Sequence, residues 1–433
     1  MMVNLAYGRT GLDVDFPDGC EVLRGREAPG LPDEAQAIRD AIRAPVSGPP
    51  LARRIRPGGR AVVVHTDITR ATPNDRMLPV LLDELELAGV ARADISLLNG
   101  LGTHRPQTDA ETRALLGDRV VDRYRCVQHD AFDDAGLVSL GATASGHPVR
   151  VSRLFMEADI RILTGFIEPH FFAGFSGGPK GVIPAISGAE SVNTNHGYAM
   201  IAHPGSTWGV TAGNPIWEEM REVALMARPT FLLNVTMNAE RRITGVFAGD
   251  MLEAHSRGCE FVRRHASVDV AAPFDVVVAT NSGYPLDQNL YQAVKGMSAA
   301  ARIVRQGGAI VMAAACEDGL PDHGMYASLL AEAGSPEALL RTVSAPGFAS
   351  RDQWQAQVQA MVQQKADVLL YSGGLADAQI RRALLKPCRD IAAAVRALLS
   401  RSGPGARAAV MPDGPLTLAQ VRPGPARAFR GGA

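Results

Sequence analysis

Lys180 closes a glycine-rich run, EPHFFAGFSGGPKG (168–181), which also carries His170 and Ser176. A lysine among phenylalanines in a tight loop favours its neutral, nucleophilic form, so covalent chemistry at Lys180 is one reading. A phosphate loop is another, but GxxxxGK[ST] needs Gly before the lysine and Ser or Thr after it. Here Pro179 and Gly181 flank Lys180, so neither the backbone cradle nor the magnesium-binding hydroxyl is in place. A dinucleotide GxGxxG fails as well. The stretch Gly174-Phe175-Ser176-Gly177-Gly178 does match the hydrolase pattern GxSxG. A nucleophile elbow follows its strand directly, however, and here HFFA intervenes.

Four further stretches hold residue types suited to chemistry, each with a plain structural alternative. In HTDITR (65–70), Asp67 and Thr69 can cap a turn or meet a polar ligand. The planar fork of Arg70 suits a carboxylate or phosphate. GLGTHRP (100–106) presents His104 beside glycines that permit close approach, although a loop histidine is commonly just solvated. NTNHGYA (193–199) offers His196. A neutral imidazole is the commonest protein metal ligand, but without HExxH or HxH spacing no site built from protein alone is indicated. YQAVKGMS (291–298) sets Gln292 and Lys295 on one face of a helix, with Tyr291 beside them; a solvated lysine is the plain alternative. No acidic pair stands in a comparable setting, so glycosidase chemistry finds no support.

These residues need elements to position them. VNLAYG and LDVDF flank GRTG as a hairpin, and PDEAQAIRDAIRAP follows as a helix. Apolar strands then alternate with loops and helices: RAVVVHT, ADISLLNG and ADIRILTGFI each lead into one of the polar clusters. TFLLNVTMNAERRITGVFAGD reads as a hairpin turning at Asn238-Ala239-Glu240, and RRHASVDVAAP (263–273) as a boundary. The rhythm restarts with FDVVVATNSG, QNLYQAVKGMSAAARIV, GGAIVMAAACEDG and KADVLLYSGGL. The expected fold class is α/β: two α/β domains with mainly parallel sheets and a cleft between them. The boundaries are 1–268, 269–415 and a flexible tail at 416–433. Ligands of such sheets sit beyond the carboxyl ends of the strands, where every cluster falls.

Bulk properties narrow the function. With 433 residues and a formal net charge of −1, the chain is long enough for about two or three domains and has no global field for nucleic acid or anionic lipid. No apolar run approaches a membrane span, and the start lacks a secretory signal pattern. The five scattered cysteines form no CxxC pair, as expected of reduced thiols. The expected location is cytoplasmic.

Together the clusters resemble the nickel-pincer lactate racemase family. The matching motifs are DITR (67–70), GTHRP (102–106), H-x-x-A-G-x-S-G-G-x-K from His170 to Lys180, His196, and Y-Q-x-x-K (291–295). YGRTGLDVDFP is similar to the family's opening hairpin. The resemblance implies a racemase or epimerase of a 2-hydroxy acid, lactate-like. Its cofactor would be a nickel-pincer nucleotide, Ni pyridinium-3,5-bisthiocarboxylic acid mononucleotide, held covalently by Lys180. It further implies that His196 ligates nickel and that Asp67, Ile68, Thr69 and Arg70 line the cofactor. His104 and His170 would exchange the substrate hydroxyl proton, and Arg70, Tyr291, Gln292 and Lys295 would bind substrate. The cofactor and catalytic histidines would lie in the first domain and the remaining substrate residues in the second. The implied partners are the hydroxy acid and the cofactor-making enzymes. Two alternatives stay open: a serine hydrolase using Ser176, and a non-catalytic binder of a carboxylate or mononucleotide.

Overall fold

The computed structural model describes residues 1–56, 58–321 and 324–422. The chain divides into two compact units. One comprises Glu27–His265 and Ala349–Trp354; the other comprises Met1–Arg26, Ala266–Phe348 and the residues from Gln355 onward. Among the described residues, no helix is long and apolar enough to cross a membrane.

The first of these units is built on a six-stranded sheet. Its strands lie in the order Ile243–Gly249, Phe231–Met237, Ile160–Phe166, Ala61–Thr66, Ile95–Gly100, Arg125–Gln128. All neighbours are parallel except the edge pair Phe231–Met237 and Ile243–Gly249, which forms the expected hairpin. AVVVHT is buried along nearly its whole length rather than alternately, as a parallel strand covered on both faces requires. Val63 pairs with Leu97 on one side and Ile162 on the other, within a core that includes Leu81, Leu85 and Leu233. Ile38 and Ile42 of the helix Glu34–Arg43 join that core, and Asp33 caps the helix by accepting from the Gln36 amide. From Ala61–Thr66 the chain moves one way to Ile95–Gly100 and later returns on the other side as Ile160–Phe166. This reversal of strand order is the topological switch point, where ligands of such sheets bind.

The other unit has a fully parallel six-stranded sheet. Its order is Lys386–Pro387, Ala366–Tyr371, Val304–Ala313, Phe274–Thr280, Ala408–Met411, Glu21–Val22. The mainly parallel α/β architecture is as expected. The allegiance of the N-terminus is not: residues 1–26 fall outside the first domain to which the sequence reading assigns them. Glu21–Val22 pairs with Ala408–Met411, and Val3, Leu5, Val14 and Phe16 of the hairpin share an apolar core with Val276, Val311 and Val410. Asp287 adds a polar tie, accepting from the amides of Gly8 at 2.8 Å and Ala315 at 3.0 Å. The expected tail at 416–433 also begins too early. Leu418–Val421 is a strand paired with Ser267–Val270, and residues 423–433 lie outside the described residues.

Candidate functional site

Within the first-described unit, three loops at the carboxyl edge of the sheet carry the residues singled out above. Asp67, Ile68, Thr69 and Arg70 follow Ala61–Thr66, and His104 follows Ile95–Gly100. His170 and Lys180 follow Ile160–Phe166. The structure joins the first two loops directly: His104 Nδ1 lies 2.6 Å from Asp67 Oδ2, while Thr69 Oγ1 donates to Asp67 Oδ1 at 2.8 Å. Burial alone would raise the Asp67 carboxyl, but His104, with Arg70 and Thr69, holds it below its ordinary value. An ionised Asp67 accepts the Nδ1 proton of His104, which leaves a lone pair on Nε2 of the neutral ring. Ile68 is half-buried between these groups in the chain. Arg70 Nη1 stands 3.9 Å from Glu168 Oε1, beyond hydrogen-bond reach, and this buried nitrogen has no hydrogen-bond partner among the described residues.

The third loop turns back on itself, with Pro169–His170 pairing against Gly174–Phe175. Ser176 staples that turn: its hydroxyl donates to the Phe166 carbonyl and accepts from the Glu168 amide, both at 2.8 Å. The buried Ser176 therefore serves the backbone. His255 meets its carbonyl oxygen at 3.0 Å rather than its hydroxyl, so this histidine is not placed as the base of a hydrolase serine. Downstream, the amide of Ala173 donates to His170 Nδ1 at 3.2 Å, so the neutral ring carries its proton on Nε2.

Phe172 gathers three of the expected functional groups. Its ring stands 4.6 Å from His170 and 4.9 Å from His196, edge-on to each, and Lys180 Nζ lies 5.7 Å from its centroid. Lys180 is only 8% exposed and His196 only 3%. Burial, and then the charge of Lys180, hold His196 well below the usual imidazole range, which keeps it neutral as a metal ligand must be. Asn195, just before it, donates to the buried Glu219 at 3.1 Å, and Glu219 also takes His147 Nδ1 at 2.7 Å.

The arrangement fits a covalently attached, metal-carrying cofactor. Lys180 provides a buried amine. His196 Nδ1 is buried without a hydrogen-bond partner among the described residues. Among the described residues no cluster of three or more His, Cys, Asp or Glu side chains could hold a metal.

Two contributors escaped the sequence reading. The short segment Ala349–Trp354 belongs to this unit, and it places the Trp354 ring 5.2 Å from His196. The Arg351 guanidinium donates to the Thr103 carbonyl, one residue before His104. No motif marks either residue. A compositional signal was available for Lys180: the chain has only four lysines, Lys180, Lys295, Lys365 and Lys386, and Arg wherever else a cation is needed.

The remaining expected residues lie in the other unit, on the helix Leu290–Ala301. Asn289 caps it by accepting from the Gln292 amide at 3.1 Å, and Lys295 Nζ donates to Gln292 Oε1 at 2.7 Å. The sequence placed these two on one face, and they do form a pair. Tyr291 packs edge-on to Tyr326 at 5.5 Å, and its carbonyl accepts from Gln355.

Fold and side chains define an α/β enzyme whose buried Lys180 and His170, with the half-buried His104 and Arg70, stand beyond the carboxyl ends of parallel strands. Residues 7–209 match the lactate racemase N-terminal domain, and residues 270–418 match the lactate racemase C-terminal domain. The chain belongs to the lactate racemase family and is an isomerase. It is 33% identical over 420 residues to the lactate racemase of Thermoanaerobacterium thermosaccharolyticum, covering 95% of this chain and 97% of that one. It is 34% identical over 382 residues to that of Lactiplantibacillus plantarum, covering 88% and 90%. The solved T. thermosaccharolyticum lactate racemase apoprotein superposes with a TM-score of 0.90 at 32% identity, over 97% of this chain and 100% of the other. A Thermotoga maritima protein of known structure, 21% identical, shares the fold with a TM-score of 0.71 over 92% of this chain and 100% of its own.

Proposed function

We propose that the chain racemises a 2-hydroxy acid, with lactate the first candidate, using a nickel-pincer nucleotide attached to Lys180. The observation that carries this reading is the burial of Lys180 and His196 against the one ring of Phe172. The names of the curated relatives support lactate as substrate. When bound, such a cofactor would supply a hydride acceptor for the substrate carbon and soft sulfur donors for nickel.

The chain's own groups then have separate tasks. Lys180 anchors the cofactor and His196 provides the protein's ligand to nickel. His104, its Nδ1 proton held by Asp67, takes the hydroxyl proton of one enantiomer at Nε2. His170 exchanges that proton for the other enantiomer. Arg70 offers an unsatisfied N–H to the substrate carboxylate, and Lys295, steadied by Gln292, offers a second cation. The phenylalanines and Trp354 keep water from the reacting carbon.

The test is co-expression with the cofactor-making enzymes, followed by intact mass, nickel content and polarimetry over enantiopure 2-hydroxy acids, lactate first. An adduct at Lys180, about one nickel per chain and loss of optical rotation are expected. Absence of both adduct and metal would sink the cofactor assignment. Ligand binding by the loaded chain with optical rotation unchanged would instead identify a non-catalytic binder.

A further inference from the structure

The Ser-Gly-Gly of the loop at 176–178 plays no part in the chemistry above, yet two buried polar side chains converge on it. Asn234, in the middle of the strand Phe231–Met237, accepts from the Gly178 amide at 2.8 Å. His255, on the helix Met251–Ala266, meets the Ser176 carbonyl at 3.0 Å. Both glycines have positive φ, 75° and 53°. A Cβ on Gly177 would stand 2.5 Å from Asn234 Oδ1, and one on Gly178 would stand 2.4 Å from His255 Cγ. The two side chains thus occupy the space that two missing Cβ atoms leave. The turn they grip leads directly to Lys180, whose amide donates to the Gly177 carbonyl at 3.1 Å.

We infer that His255 and Asn234 are positioning residues that clamp the Gly177–Gly178 turn and so fix where, and how deeply, the Lys180 amine is presented. The inference rests on the reading of Lys180 as the attachment lysine. Its physical basis is the cost of burying polar groups: a carbonyl and an imidazole in a dry core hold to each other because neither has water to turn to. Burial drives the His255 imidazole down to about 4, so it stays neutral and donates its Nε2 proton to Ser176. Cys259 Sγ lies 3.4 and 3.7 Å from the two ring nitrogens, and Trp217 stacks over the ring at 6.5 Å. Burial also raises the Cys259 thiol well above its ordinary value. The thiol and indole against the ring are proton-bearing and uncharged, which suits a clamp and not a catalyst.

The scarcity of lysines allows a direct test on the full chain. The cofactor-free protein is labelled with acetic anhydride, and peptide masses give the rate at Lys180 relative to Lys365 and Lys386. The cofactor-loaded protein is assayed separately for the fraction of chains with an adduct at Lys180. H255L removes the donor, whereas H255Q keeps an N–H in its place. Loss of one clamping hydrogen bond should raise relative labelling of Lys180 about fivefold or more and lower the adduct fraction to a similar degree. H255Q should stay within about twofold of the natural chain on both measures. N234A carries the same expectation and replaces H255L if that variant does not fold. A folded H255L or N234A with both measures unchanged would overturn the clamp. No adduct on the natural chain would instead overturn the attachment reading, while the labelling arm still decides whether the clamp exists.

Discussion

The loops after Ile95–Gly100 and Ile160–Phe166 each present a histidine, and they hold it by opposite means. His104 gives its Nδ1 proton to a side-chain carboxylate, and its side chain remains 31% exposed. His170 is buried and receives a backbone N–H at Nδ1. In their neutral forms the two rings therefore differ at Nε2, where one shows a lone pair and the other a proton. On the proposed reading, His104 is already set as a base, whereas His170 needs the other tautomer, with its Nδ1 freed from the Ala173 amide, to take a hydroxyl proton at Nε2. The difference also shows that one histidine can be retuned by a single side-chain change, while the other is governed by the course of the backbone.

The largest test of this comparison removes each ring in turn. His104→Gln and His170→Gln should each lower racemisation by about 10²–10⁴-fold in the loaded enzyme, followed by polarimetry. A loss confined to one variant would break the pairing. Asp67→Asn comes next: an amide can donate to Nδ1 and reverse the tautomer of His104, so kcat should fall about a hundredfold with adduct and nickel content preserved. An equal loss of adduct would assign Asp67 to cofactor retention instead. Lys295→Met leaves both histidine settings intact. It should raise the KM for a hydroxy acid about tenfold with a smaller change in kcat, read from initial rates.

The smallest effect concerns stability. Burial pushes His65, just ahead of the Asp67 loop, down to about 4 from 6.5. Because the unfolded chain takes up a proton that the folded chain refuses, the stability it supports is complete above about pH 6.5. It is lost as pH falls toward 4, by on the order of 3 kcal/mol. His65→Gln should flatten that stretch of the profile in denaturant titrations; an unaltered slope would place the acid sensitivity elsewhere.

The loops of the site were readable because each follows an apolar strand within a few residues, so local pattern and ligand-binding edge coincide. The pairing of Gln292 with Lys295 was readable for the same reason, since helical spacing alone sets it. Trp354 and Arg351 were not, because they reach the site from more than a hundred residues downstream of His196, through a six-residue return of the chain. Nor was the allegiance of the N-terminal hairpin, which depends on the pairing of Glu21–Val22 with Ala408–Met411. Asn234 and His255 look like ordinary strand and helix residues until the two glycines they fill are seen in space.

That six-residue return bears on how such a protein can be inherited or dissected. The two family sequence domains, 7–209 and 270–418, are contiguous stretches, but the compact units are not: the backbone passes from one to the other after Arg26, His265, Phe348 and Trp354. A gene cut at residue 268 would separate Trp354 from His196 and the strand Glu21–Val22 from its partner Ala408–Met411. Recombination between relatives should therefore preserve function only when both crossings of the segment 349–354 travel with the histidine loops they serve.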